Sequence, residues 1–155
     1  MEKSRSTASD PFARALRILG RRDHSEAELR AKLSRFGFSA SAIDETVKRC
    51  YSYDYLDDQR YALARCREML RSGRGVGPKV LLDLKRRGIA ETIAREALQV
   101  AGEELSPAQV LRQQLARRFG QFDYAAANEK ERRRVVSYFQ RRGFDLATIF
   151  AELKK

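Results

Sequence analysis

One pattern occurs three times in this 155-residue chain and limits what the chain can fold into. Each copy has two apolar residues four positions apart, a glycine four positions later, and an apolar residue directly after the glycine. A repeat of about 50 residues is one supersecondary unit, and such units stack into an extended array. The pattern therefore favours a long surface that grips an extended partner over a catalytic pocket. The copies are Leu29-Leu33-Gly37-Phe38, Val80-Leu84-Gly88-Ile89 and Val135-Phe139-Gly143-Phe144.

Apolar residues recur at intervals of three and four, which is the period of amphipathic α-helices. Ser25 followed by Glu28 is typical of a capping box, and a glycine after the last apolar position is typical of a helix stop. We predict an all-α fold of about nine helices in three tandem three-helix repeats that resemble helix-turn-helix units, elongated and curved. The expected division is a flexible tail over 1–10 and repeats over 11–56, 57–105 and 106–155.

The first unit allows specific core predictions. Leu16 and Phe36 fall on stripes that we expect to face inward. Cys50 and Cys66 also occupy apolar-stripe positions of predicted helices. Two cysteines are too few for a disulfide scaffold, so both are predicted to be buried free thiols.

Short polar linkers are expected near Tyr53–Asp58 and Gly102–Ser106, where the units can tilt against each other. Tyr51, Tyr53 and Tyr55 alternate at the first linker. Such rings can stack on nucleic-acid bases, but packing between the first and second units is the favoured interpretation.

The charge of the chain points to an acidic partner. The net charge is +11 and the sequence pI is about 10.1. Within 60–87 there are nine basic residues against two acidic ones, so the middle unit carries a strongly basic region. Nucleic acid and an acidic protein surface would both be attracted by this field, and charge alone does not choose between them.

Several functional classes are disfavoured. No apolar run approaches the roughly 20 residues of a membrane span, and 1–10 lacks the apolar segment of a signal peptide, which favours a cytoplasmic location. His24 has no evident nucleophile or base partner, and a surface or helix-cap role is expected for it. Asp57 and Asp58 are better explained as capping residues than as a metal pair. We therefore predict no enzyme, no metal and no cofactor.

The motifs of the first two units resemble those of the RecX family of regulatory proteins. Residues 22–38 resemble its first repeat. Asp57 to Ile89, with Gly73-Arg74-Gly75-Val76-Gly77-Pro78-Lys79 followed by Leu84-Lys85-Arg86-Arg87-Gly88-Ile89, resembles the middle repeat more strongly. Val80 and Arg87 depart from the residues common there but keep apolarity and charge. The resemblance covers about 12–154 and is weaker in the third unit.

The resemblance implies a protein that lies in the groove of the RecA filament and restrains recombination, ATP hydrolysis and co-protease activity, with consequences for the SOS response. A monomer is expected. Two alternatives stay open: a DNA-binding protein of the helix-turn-helix or non-specific type, and a helical adaptor for another partner. The Gly73–Pro78 loop lacks the full Walker pattern and follows a helix, so a helix–helix connector is favoured over a phosphate loop.

Basic side chains are the candidates for contact with the RecA filament or with DNA. On a regular helix Arg60, Arg67 and Arg71 share one face, Arg74 follows it, and Asp83 lies among the cations of the next helix. Arginine suits this role because its fork of donors matches carboxylates and phosphates. The candidates are Arg60, Arg67, Arg71, Arg74, Lys79, Arg86, Arg87, Arg117, Arg118, Arg132, Arg133 and Arg141.

Overall fold

The computed structural model describes residues 10–155, so the predicted tail lies outside the described residues except for Asp10. This part of the chain is all-α and has no strand, as predicted. It contains nine helices: α1 (Pro11–Arg21), α2 (Glu26–Arg35), α3 (Ala40–Ser52), α4 (Asp58–Ser72), α5 (Pro78–Arg86), α6 (Glu91–Glu104), α7 (Pro107–Arg118), α8 (Glu129–Arg141) and α9 (Leu146–Leu153).

Most of the described helices begin at a side chain that accepts a backbone hydrogen bond; α5 and α6, which begin after Gly77 and Ala90, do not. The Ser25 hydroxyl accepts from the Glu28 amide, and the Glu28 carboxylate accepts from the Ser25 amide, both at 3.1 Å. This confirms the predicted capping box. Ser106 and Asn128 start α7 and α8 with the same reciprocal arrangement. Each cap satisfies amides that have no partner within the helix.

The repeated sequence pattern is a helix stop. Gly37, Gly88 and Gly143 adopt left-handed backbone with φ of 87°, 80° and 98°. After each glycine, the amide of the apolar residue donates back to the carbonyl of the apolar residue five positions earlier, as Ile89 does to Leu84 at 3.0 Å. This is a Schellman motif, in which glycine takes the left-handed position without a Cβ clash.

The apolar side chains form two separate cores. One lies among α1, α2 and α3 and includes Leu29, Leu33 and Cys50. The other runs through α4 to α9, because α4 packs against both α6 and α7, and it includes Cys66 and Phe139. Both cysteines are buried free thiols, as predicted. Thus the second and third groups of three helices share one core, while the first group has its own.

Several expectations were wrong in detail. His24 is not a surface residue: it is 3% exposed, and its ring nitrogens contact the Arg22 carbonyl and Lys32. Leu16 is exposed, because the buried stripe of α1 runs through Ala15 and Ile18 instead. Phe36 caps α2 and is 53% exposed, with the Arg14 guanidinium 4.2 Å above its ring. The linker expected over Gly102–Ser106 is shorter, because α6 continues to Glu104.

The tyrosines of the first linker do not pack between units as expected. The Tyr51 hydroxyl donates to Glu26 Oε1 at 2.8 Å, and the Tyr53 ring lies beside Phe12 and Tyr55. All three tyrosines are more than 40% exposed. They therefore cover the outside of the first three-helix group.

Candidate partner-binding surface

The glycine loop between α4 and α5 is fixed against the end of α8. The Val76 amide donates to the Arg142 carbonyl at 2.9 Å. A Cβ on Gly143 would overlap the Val76 carbonyl oxygen, so the two backbones approach more closely than any other residue allows. The loop is a connector with close backbone contact, as predicted, and its partner backbone comes from the last three helices.

A buried glutamine supports the same loop. Gln114 of α7 is 2% exposed, and its Nε2 donates to the Ser72 carbonyl at 3.4 Å. A Cβ on Gly73 would overlap this side chain. The glycine therefore serves both the left-handed end of α4, with φ of 69°, and the packing of α7.

Asp83 links α4 to α5. Both of its carboxylate oxygens accept from Arg65, at 2.9 and 3.0 Å, and Oδ1 also accepts from Arg87 at 2.9 Å. The Arg65 hydrogen bonds, with the Arg87 charge, hold the Asp83 pKa below its ordinary value. Arg65 is 15% exposed and was not among the candidates, because nothing in the local sequence shows that its partner lies 18 residues away.

Arg87 is occupied by contacts within the chain. Its Nη1 donates to the Tyr61 hydroxyl at 2.9 Å and lies 4.0 Å from Glu28 of the first helix group. The Ser25 hydroxyl donates to the Arg87 carbonyl at 2.5 Å. The Glu26 amide donates to Asp58 at 2.8 Å beside it. Polar contacts therefore join the first helix group to the second, and Arg87 lies at their centre.

The other candidates on α4, and Arg74 just beyond its end, differ in their partners. Arg67 forms two hydrogen bonds with Glu104, at 2.8 and 2.6 Å, and this contact raises the Arg67 pKa. Arg74 lies 3.3 Å from Glu68. Arg60 and Arg71 donate to backbone carbonyls and form no ion pair within the described chain.

The candidates on α5 and in the third helix group also differ: some form contacts within the chain and others form no ion pair in its described part. Lys79 and Arg86 are exposed and form no ion pair within residues 10–155; the same holds for Arg117, Arg118 and Arg141. Arg133 pairs with Glu129 at 2.6 Å. Arg132 donates to the Tyr124 carbonyl at 2.8 Å and lies over the Tyr124 ring, so it is held in place by its own loop.

We call the exposed candidates without an ion pair the open cations. These cations belong to the second and third helix groups. The contact of the glycine loop with the end of α8 brings the two groups together, because the Lys79 side chain packs against Gly143, two residues after Arg141. Guanidinium and ammonium groups of this kind bind carboxylates and phosphates, and their attraction falls with salt. The open cations are Arg60, Arg71, Lys79, Arg86, Arg117, Arg118 and Arg141.

The described part of the chain offers little else for chemistry. Residues 10–155 hold no group of three or more side chains placed to bind a metal ion. No helix in this range combines the length and the apolar character needed to cross a membrane.

Comparison with known proteins decides the family. Residues 12–50 match the family model described as the first three-helix domain of RecX. The regulatory protein RecX of Syntrophotalea carbinolica is 44% identical over 142 residues, which cover 92% of this chain and 93% of the relative. The chain belongs to the RecX family. The RecX of Trichlorobacter lovleyi, another regulatory protein, is 36% identical over 88% of both chains.

Solved RecX structures share the fold. The crystal structure of RecX from Lactobacillus salivarius superposes with a TM-score of 0.76 at 21% identity, covering 95% of this chain and 94% of the other. At this identity the likeness concerns the fold alone. It confirms the repeated all-helical architecture, whereas the elongated and curved outline stays a prediction.

Proposed function

We propose that this RecX-family protein binds the RecA nucleoprotein filament and inhibits its recombinase, ATPase and co-protease activities, which modulates recombination and SOS repair. It acts in the cytoplasm, as a monomer, by binding rather than by catalysis. The observation that supports this proposal is the set of open cations on α4, α5, α7 and α8, carried by a chain whose relatives are named regulatory proteins.

The open cations suit a long partner with repeated negative charge. They belong to two helix groups that share one core, so their spacing is fixed by packing and not by a linker. Several weak contacts in a fixed arrangement give a strong overall affinity, because the first contact holds the other groups close to their binding partners. We propose that Arg60, Arg71 and Lys79 contact carboxylates or phosphates of the filament, and that Arg74, whose pair with Glu68 is exposed, joins them. The candidates that are held by stronger contacts within the chain contribute less: Arg67, Arg87, Arg132 and Arg133.

The test is RecA ATPase on single-stranded DNA with the protein added in steps, at two salt concentrations. A parallel titration measures binding to the same DNA without RecA. The proposal predicts loss of ATPase at ratios well below one protein per RecA protomer, with much weaker binding to bare DNA. ATPase loss only at concentrations that coat the bare DNA would instead favour a DNA-binding protein that competes for the lattice.

A further inference from the structure

The first helix group contains a cleft lined by positive charge. It lies between α1 and α2, has a volume of about 740 Å³, and is lined by six cationic side chains and no carboxylate. None of these side chains was among the sequence candidates. Within residues 10–155, one of these cations has an acidic partner at the edge of the cleft, where Arg22 lies 3.5 Å from Glu28. The six are Arg14, Arg17, Arg21, Arg22, Lys32 and Arg35.

A buried histidine holds one of the charges in place. His24 is 3% exposed, its Nδ1 is 2.9 Å from the Arg22 carbonyl, and its Nε2 is 2.8 Å from Lys32 Nζ. Because the carbonyl can only accept, Nδ1 carries the proton and Nε2 accepts from the ammonium group. The hydrogen-bond partner of Lys32 in the cleft is therefore a neutral ring, which positions the Lys32 side chain without pairing it with a negative charge.

Arg14 provides an unpaired donor in the same cleft. Its Nε is buried and has no hydrogen-bond partner within the described residues, while its guanidinium lies over the Phe36 ring. A buried donor without a partner is unfavourable, and neighbouring like charges repel each other. The repulsion falls when an anion enters the cleft, so the arrangement is suited to an anionic ligand.

The number of charges distinguishes between anions. A single carboxylate brings one negative charge to the six cations of the cleft. A phosphate group brings up to two negative charges, and it has three acceptor oxygens that match the donor forks of arginine. Phe36 lines the same cleft and is 53% exposed, which offers an aromatic surface beside the phosphate. We propose that the cleft between α1 and α2 binds a phosphate group of a nucleotide.

The phosphate has two possible sources, a nucleic-acid strand or a free nucleotide, and the experiment separates them. Labelled oligothymidylate is titrated with the full chain by fluorescence anisotropy, and ATP and inorganic tripolyphosphate are added as competitors. The imidazole proton signals of His24, the single histidine of the chain, report occupancy of the cleft by NMR. Strand binding that shifts these signals assigns the strand, and a shift with ATP alone assigns the free nucleotide; both outcomes support the proposal.

Matched variants separate the cleft from general electrostatics. Arg17→Gln, Arg21→Gln and Arg35→Gln together remove three exposed cleft charges. The control removes three exposed cations elsewhere, Lys48→Gln, Arg95→Gln and Lys130→Gln. The cleft variant is expected to lose at least about tenfold in phosphate affinity, and the control less than about twofold.

Three results would overturn the proposal. One is the absence of His24 signal shifts with all three ligands, and another is equal loss of affinity in both triple variants. The third is displacement by a hexaglutamate peptide as efficient as displacement by tripolyphosphate. The proposal does not rest on RecA binding, since every arm uses the protein without RecA. Its failure would leave the ATPase result of the proposed function unchanged.

Discussion

Among single residues, the basic side chains of this protein have two different roles. Some, such as Arg65 and Arg87, are ion-paired within the chain and join helices. Others, such as Arg71 and Lys79, are exposed and have no ion pair within residues 10–155. The sequence identifies all of them as basic, but only their packing shows which are free to bind a partner.

The Asp83 contacts make a direct prediction. Asp83→Asn leaves Arg65, which is 15% exposed, with Glu68 at 3.1 Å as its one remaining carboxylate partner within the described residues. Because the partly buried Arg65 charge then loses its two-point contact and is less well compensated, we expect the free energy of unfolding to fall by about 2 kcal/mol in urea titrations. The matched control is Glu91→Gln, which breaks the exposed pair with Arg95 and is expected to cost less than about 1 kcal/mol. Equal effects of the two changes would contradict the account of Asp83.

The single histidine predicts a pH dependence. Burial, with the charges of Arg22 and Lys32, lowers the His24 pKa in the folded state below its ordinary value of 6.5. The unfolded chain therefore takes up a proton first as the pH falls. Stability from His24 is complete above about pH 6.5 and is lost as the pH falls through the folded-state pKa.

We expect the free energy of unfolding to fall between pH 7 and pH 5.5, measured by urea denaturation at each pH. In His24→Gln this slope should be nearly flat, since no other side chain of ordinary pKa titrates in that range. An unchanged slope in the variant would show that His24 is not its source.

At the scale of elements, the repeated glycine is both a helix stop and a packing device. Gly37 and Gly88 have similar backbone, with φ of 87° and 80°, but different surroundings. A Cβ on Gly37 would meet nothing within 4 Å, whereas a Cβ on Gly88 would overlap Ala27 of the first helix group. Comparing Gly37 with Gly88 therefore distinguishes the cost of backbone strain from the cost of disturbing a contact between helix groups.

Alanine substitutions test this separation. Gly37→Ala should cost only the left-handed strain of about 1–2 kcal/mol. Gly88→Ala should cost about 1–3 kcal/mol more, because α2 must also move away from the α5 end. Urea unfolding of both variants measures the difference. Equal costs would mean that the contact between Ala27 and Gly88 is not maintained in solution.

Local signals account for most of what the sequence predicted. Helix starts at Ser25 and stops such as Gly88 depend on residues within one turn, so the nine helices follow from periodicity and caps. The position of Phe36 was predicted wrongly because a cap residue leaves the buried stripe; its ring contacts Arg14 and is otherwise largely exposed. The contact from Ser25 to Arg87 spans 62 residues, and no local pattern encodes a partner so distant.

At the scale of the whole molecule, two cores and one polar junction determine how the parts are coupled. The last six helices share a core, so the open cations on α4, α5, α7 and α8 keep a fixed arrangement. The first helix group has its own core and joins the rest through Ser25, Glu26 and Glu28. We propose that the last six helices contact the filament as one unit.

Charge reversal in the last six helices tests this proposal. Arg71→Glu, Arg74→Glu and Lys79→Glu together reverse an exposed group without touching either core. The control, Lys48→Glu, Arg95→Glu and Lys130→Glu, changes the net charge equally at other exposed positions. Circular dichroism of both variants should match the unmodified protein, because all six side chains are exposed.

The most direct measurement is inhibition of RecA ATPase on single-stranded DNA by these two variants beside the unmodified protein. We expect the reversal at Arg71, Arg74 and Lys79 to raise the half-inhibitory concentration at least about tenfold. We also expect higher salt to raise the half-inhibitory concentration of the unmodified protein. The control variant should inhibit within about threefold of the unmodified protein. Full inhibition by the folded reversal variant would mean that this basic surface does not bind the filament.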